Sequence, residues 1–257
     1  GLEDIPVGAS HDLGFGDPVD KMQAEKLARD TAAFGHRLIH NLQAPEQTLL
    51  NRQLLTAQPD RSVVYVTIGH TRALCDLLRS TADSISSLTG AELVERKIDR
   101  WVALGALGAG NSEGRLVKDW NFFFNGTASY TDYLVQHFPR PAFFVDSGSD
   151  VMTGRSLEHT PSGNIVRTAY RDWLWNVEEK ILSDQRPSWD LAALCFAVEG
   201  NGEFFEIRDN GYLHFDTNRG CRWLEQDTTT NHNYVTQRRG VNDAMASYFN
   251  RLLIEKD

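Results

Sequence analysis

SVVYVTIG (62–69), followed directly by HTRALCDLLRS (70–80), is the stretch on which the fold turns. The first part is β-branched or apolar almost throughout, the pattern of a strand buried on both faces. The second places Leu74, Leu77 and Leu78 at helical spacing, so the apolar period changes from strand to helix across one turn. The same alternation recurs downstream. TGAELVERKI (89–98) reads as a helix leading into the strand RWVALGALG (100–108), and TDYLVQHF (131–138) as a helix leading into RPAFFVDSG (140–148). Strands alternating with helices predict an α/β fold, doubly wound, with a mostly parallel sheet flanked by helices. Ligands of such sheets bind in the crevice beyond the carboxyl ends of the strands. That directs attention to Ile68 and Gly69, to the span 108–121 and to the span 146–150.

Past residue 150, NIVRTAYRDWLWNVEEKIL (164–182) reads as a long aromatic-rich helix. RPSWDLAALCFAV (186–198) reads as an apolar one entered through Pro187 and Ser188, and VNDAMASYFNRLLIEKD (241–257) as an amphipathic closing helix. Between them, EFFEIRDNGYLHFD and CRWLEQD alternate around Asp209-Asn210-Gly211. Asn-Gly between alternating runs predicts a small C-terminal β-hairpin at that dipeptide. There is no repeat, low-complexity tract or composition break, so 1–257 reads as a single domain.

The chain carries 26 Lys and Arg against 35 Asp and Glu, a formal charge of −9. Affinity for polynucleotides comes mainly from clustered basic residues, so nucleic acid is not an expected partner. No apolar run approaches the ~18 residues of a membrane span, so neither is a membrane, and the chain reads as soluble, whether cytoplasmic or exported. Cys75, Cys195 and Cys221 are far apart with no CxxC, which indicates neither a disulfide framework nor a zinc site.

Single motifs are sparse. There is no GxSxG and no GxxxxGK[ST]. The loop GALGAGNSEG (105–114) lacks the third glycine of a dinucleotide fingerprint, because Glu113 follows Ser112. His36 and His40, four apart on an expected helix, would either share a metal or stand as solvated or capping side chains. In KDWNFFFNGTAS (118–129), Asp119 and Asn121 are separated by one aromatic. On an extended chain they point the same way, and a carboxylate beside a carboxamide suits vicinal hydroxyls. Asp190 opens the apolar helix, where the helix dipole favours an acid and where a site carboxylate is equally at home.

Taken in order, five segments resemble the inosine/uridine-preferring nucleoside hydrolase family. VYVTIGHTRALCDLL (64–78) resembles its strand, T-x-G turn and helix, and IDRWVALGALGAGN (98–111) its next strand and glycine-rich loop. DWNFFFNGTAS is similar to its E-x-N-x-x-x-D-P-x-A segment, RPAFFVDSGSDVMTG (140–154) to the strand leading to its active-site rim, and RPSWDLAALCFAV to its H-D-P-L-A-V helix start. The resemblance implies a small-molecule ribonucleoside as partner and hydrolysis of its N-glycosidic bond to base and ribose. It also implies one Ca²⁺ at the strand ends, holding the ribose hydroxyls and the attacking water, with nearby carboxylates stabilising an oxocarbenium-like transition state. Position by position, it makes Asp190 and the backbone carbonyl of Ile68 Ca²⁺ ligands. Asp119, Asn121 and Asn111 become contacts to the ribose. Trp189 stands where many members have the His that protonates the departing base; it cannot act as an acid but can stack on a base. Tyr170, Trp173 and Trp175 either line the base or pack the core. Relatives are often dimers or tetramers, so a homo-oligomer is admitted.

The family signature D-x-D-x-x-x-D-D has no counterpart, and no Asp-Asp dipeptide occurs in the chain. GLEDIPVGAS resembles the piece that introduces the family's third strand. The expectation is therefore a domain lacking its first strand–helix units, with the general-base aspartate and most ion ligands upstream of Gly1. His11, Asp12, Asp17 and Asp20 form either a substitute cluster or a solvated loop. Little hydrolysis is expected of this polypeptide, and the alternative is a non-catalytic ribose- or nucleoside-binding relative.

Overall fold

Residues 4–12, 23–111, 113–227 and 230–254 are described by the computed structural model. The strands are β1 (Val63–Thr67), β2 (Ile98–Leu104), β3 (Ala142–Asp146), β4 (Met152–Thr153), β5 (Arg186–Pro187), β6 (Phe205–Arg208), β7 (Gly211–Asp216), β8 (Gly220–Glu225) and β9 (His232–Gln237). The helices are α1 (Gln23–Arg29), α2 (Thr31–Phe34), α3 (Gln47–Ala57), α4 (Arg72–Arg79), α5 (Gly90–Lys97), α6 (Trp120–Phe123), α7 (Ala128–His137), α8 (Ile165–Glu178), α9 (Trp189–Glu199) and α10 (Asn242–Leu252).

The main sheet runs β1-β2-β3-β9-β6. Its first four strands are parallel, and β6 closes one edge antiparallel to β9. Side chains alternate across it as the pleat requires. Trp101 and Ala103 of β2 and Phe144 of β3 enter one core with Leu74, Val94 and Leu134. Val102, Leu104 and Val145 enter the other with Ala193, Phe196 and Phe249. Helices α4, α5 and α7 thus cover one face and α9 and α10 the other, the doubly wound arrangement read from the alternating segments.

Three details differ from the sequence reading. β1 was expected to be buried on both faces, yet Val63 to Val66 are half-buried, because among the described residues β1 is the open edge of the sheet. The hairpin is β7–β8, turning at 217–219 rather than at Asn210-Gly211. Asp216 accepts from the backbone N–H groups of Asn218 and Arg219, and Gly220 takes φ +100°, which is the glycine position of a short hairpin loop. Gly211 is needed for a different reason: a Cβ there would collide with the Leu224 carbonyl and the Trp223 ring. His36 and His40 do not share a helix. Gly35, at φ +69°, ends α2, His36 bonds the Ala28 carbonyl, and His40 caps the short turn that follows.

At the amino-terminal end, Ala9 makes a single parallel bridge to Glu46. His11 bonds the Ala44 carbonyl and Asp12 pairs with Arg72, while Asp17 and Asp20 lie outside the described residues.

Candidate functional site

Three chain segments meet beyond the carboxyl ends of β1 and β2. The first leaves β1 as Ile68-Gly69-His70. It is anchored by Thr71, whose fully buried hydroxyl bonds those of Thr127 and Thr131 on the α7 side at 3.1 and 2.8 Å. The second is α6. Asp119 caps it, its Oδ1 accepting from the N–H groups of Asn121 and Phe122 at 2.9 and 3.0 Å, as an N-cap aspartate does. Its Oδ2 accepts from Leu107 N–H at 3.4 Å.

The third segment is the start of α9. Gly148, just past β3, takes φ +94°, and a Cβ there would lie 2.6 Å from the Ser188 carbonyl oxygen and 2.7 Å from Trp189 Cα. Only glycine allows this approach. It seats Trp189 and Asp190 against the end of the sheet, with Ser188 N–H donating to the Gly148 carbonyl at 3.0 Å.

The three segments enclose a cavity of about 610 Å³. Of the residues singled out from sequence, Ile68, Asp119, Asn121, Trp189 and Asp190 all line it; Asn111 does not. Asn111 is the exposed last residue of a turn, Ala109–Asn111, on the glycine-rich loop. That loop uses its amides internally: Gly108 N–H donates to Asp146 at 3.0 Å and Gly110 N–H to the Tyr234 hydroxyl at 2.9 Å. The Asp119–Asn121 pair reaches the cavity by a different geometry from the one expected. The segment is a helix start rather than extended chain, and Asn121 donates its amide to the Leu104 carbonyl at 3.1 Å.

The long helix splits its aromatics. Trp173 lines the cavity. Tyr170 packs against Leu157, Leu174 and Leu182, and Trp175 is 65% exposed. The remaining wall is Gly69, His70, Leu104, Leu107, Trp120 and Arg186.

Arg186 and Trp120 went unread in the sequence, although Arg186 opens the same RPSWD stretch that supplies Asp190. Its guanidinium lies over the Trp173 ring, 4.6 Å from the centroid, and 3.1 Å from Glu178. Glu178 also accepts from Trp173 Nε1 at 3.1 Å and pairs with Lys180 at 2.9 Å.

Electrostatics set the carboxylates apart. Burial pushes the Asp119 carboxyl up to about 6, against the pull of its three amide donors and with a smaller repulsion from Asp146. Asp146, beneath the glycine-rich loop, is raised by burial although Tyr234 donates to it at 2.6 Å. Asp190 is exposed to the cavity and makes no hydrogen bond with the described residues. Its carboxyl is raised by desolvation, opposed by the charge of Arg186.

Comparison with solved structures places the fold. The chain superposes on the inosine-uridine preferring nucleoside hydrolase from Bacillus anthracis with a TM-score of 0.60 and 14% identity, over 97% of this chain and 79% of that one. The fold is that of the nucleoside hydrolases. A plant nucleoside hydrolase gives 0.56 at 13% identity over 86% and 69% of the two chains. The purine-preferring ribonucleoside hydrolase from Gardnerella vaginalis gives 0.54 at 13% over 90% and 73%. No protein-family model and no curated protein matches the sequence.

The Ca²⁺ that the sequence resemblance implies can be set against the residues of this cavity. Ca²⁺ takes six to eight oxygens. Asp119 is committed to backbone amides, which leaves Asp190, the Ile68 carbonyl and the Asn121 amide oxygen, still short of that number. Among the described residues no three His, Cys, Asp or Glu side chains are grouped to hold a metal. The described donor set does not fit the ion.

Proposed function

We propose that the cavity is a ribonucleoside site and that its reaction class is hydrolysis of the N-glycosidic bond, giving free base and ribose. One observation carries this reading: Ile68, Asp119, Asn121, Trp189 and Asp190, drawn from three separated stretches of sequence, line one cavity at the carboxyl ends of parallel strands. That is where ligands of open α/β sheets bind. Trp189, with Nε1 donating to Ser149 at 3.0 Å, supplies a ring for the base. Asp190, with no hydrogen bond to the described residues, accepts from ribose hydroxyls. Asp119 and Asn121 bring acceptor oxygens to the cavity from the start of α6. As the bond to the base breaks, positive charge on the ribose is stabilised by these carboxylates and carboxamides.

The test is to incubate the chain with a panel of ribonucleosides and follow free base by chromatography and ribose by reducing-sugar assay, alongside calorimetric titration. Saturable binding with ribose release, the release being lost in Asp190→Asn, supports the reading. Absence of both binding and release across the panel overturns it. A second reading, binding without turnover, is favoured by the commitment of Asp119 to three backbone amides, which leaves Asp190 as the one unengaged carboxylate of the cavity wall among the described residues. Its signature is saturable binding with no ribose released.

A further inference from the structure

The cavity wall carries a cation of its own, Arg186, beside the carboxylates Asp119 and Asp190. Lys180 and Arg186 sit 2.9 and 3.1 Å from the Glu178 carboxylate, and the Arg186 charge acts on Asp190. A divalent cation placed on Asp190 would be repelled by a guanidinium that Trp173 and Glu178 hold in position. Half of the lining residues are apolar or aromatic: Trp120, Trp173, Trp189, Ile68, Leu104 and Leu107. Stacking on such surfaces is worth about 1–3 kcal/mol per base, whereas a ribose hydroxyl held by an exposed acceptor exchanges one hydrogen bond for another with water, a net of about 1 kcal/mol.

We infer that recognition in this cavity is independent of a divalent cation and is carried by the tryptophan-lined wall, so that a planar heterocyclic base binds nearly as well free as attached to ribose. This rests on the nucleoside reading above and deepens it: the ligand class is the heterocycle, and Arg186 is the site's resident cation.

The experiment is calorimetric titration of the full chain, first treated with EDTA, with hypoxanthine, uracil, inosine, uridine, ribose and CaCl₂, each alone, and then with the nucleosides in added Ca²⁺. The expected result is free-base affinity within tenfold of the nucleoside, no saturable binding of ribose or Ca²⁺, and less than a twofold effect of Ca²⁺. Trp189→Ala should cost at least tenfold and Trp189→Phe should restore most of it, near-ultraviolet circular dichroism confirming that each is folded. Arg186→Gln, which leaves Asp190 without its neighbouring cation, should bind Ca²⁺ more tightly than the parent.

Binding of nucleosides only when Ca²⁺ is present overturns the inference while leaving the nucleoside reading intact. So does ribose binding as tightly as the nucleoside, or nucleoside binding with no binding of free base. Failure of every base and nucleoside, with and without Ca²⁺, overturns both.

Discussion

Replacing Asp119 by Asn removes one charge and preserves almost everything else. The carboxyl, only 5% exposed, is pushed by burial from its ordinary 3.8 up to about 6. At ~1.4 kcal/mol per pH unit, keeping it ionised at pH 7.5 costs the folded state about 3 kcal/mol. The sign follows from the raised value. Below about pH 4 the group is protonated in both folded and unfolded chains and the cost vanishes; it grows as the pH climbs to 6 and is complete above that. Asparagine caps a helix as well as aspartate, so Oδ1 keeps its bonds to the Asn121 and Phe122 amides. The side-chain nitrogen, however, faces the Leu107 N–H instead of accepting from it, a loss of about 1 kcal/mol. Asp119→Asn should therefore be more stable than the parent by about 2 kcal/mol at pH 7.5 and less stable by about 1 kcal/mol at pH 4. Urea unfolding followed by tryptophan fluorescence at pH 4, 5.5 and 7.5 measures both. A variant less stable than the parent at pH 7.5, or a difference that does not change with pH, would refute the argument.

Other substitutions probe the scaffold around the cavity. Gly148→Ala combines φ +94° with a Cβ in contact with the Ser188 and Trp189 backbone; it should cost about 1–3 kcal/mol from strain alone and weaken ligand binding by moving the start of α9, read by chemical denaturation and calorimetry. Tyr234→Phe deletes the hydroxyl between Asp146 and Gly110 N–H and should cost about 1–3 kcal/mol, with faster amide exchange confined to the glycine-rich loop. Arg52, 2% exposed, bonds Asp83, Ser80 and the carbonyls of Ser86 and Leu88; Arg52→Ala should lower stability by about 3 kcal/mol or more in urea titrations at neutral pH. Arg52 also holds the Asp83 carboxyl down at about 2. The contribution of that pair is therefore present above the ordinary aspartate range, and the parent should lose it only as the pH falls through about 2, seen as an acid limb absent from Arg52→Ala.

The parallel core was legible because β2 and β3 are buried on both faces and show it as unbroken apolar runs that α4, α5 and α7 punctuate. The hairpin was misplaced because Asn210-Gly211 carries a turn signal for a reason local sequence does not contain: Gly211 makes room for Leu224 and Trp223 from a strand still to come. His36 and His40 failed similarly, since Gly35 stops the helix between α2 and both rings. In the site, Asp190 and Trp189 could be read because a helix start is a local event. Arg186 could not, because its meaning depends on Trp173 and Glu178 of α8, which only the tertiary structure brings beneath it. The same holds for Asp119: the residue was legible as a site group, but its three amide partners, one of them Leu107 from the preceding loop, decide how much of its carboxylate remains for a ligand.

The open margin of β1 has a thermodynamic consequence for the cavity. Backbone groups of Val63–Thr67 that face away from β2 have no partner strand among the described residues, and such edges pair readily with extended chain. Ile68, the next residue along, is already cavity wall. A segment paired along β1 would end beside that wall, so edge pairing and cavity binding act on adjoining residues. To the extent that the two events are coupled, each changes the other's affinity by the same factor. An affinity measured with the margin unpaired is one corner of that cycle, and titrating the edge with an extended peptide while the cavity is filled would trace the rest.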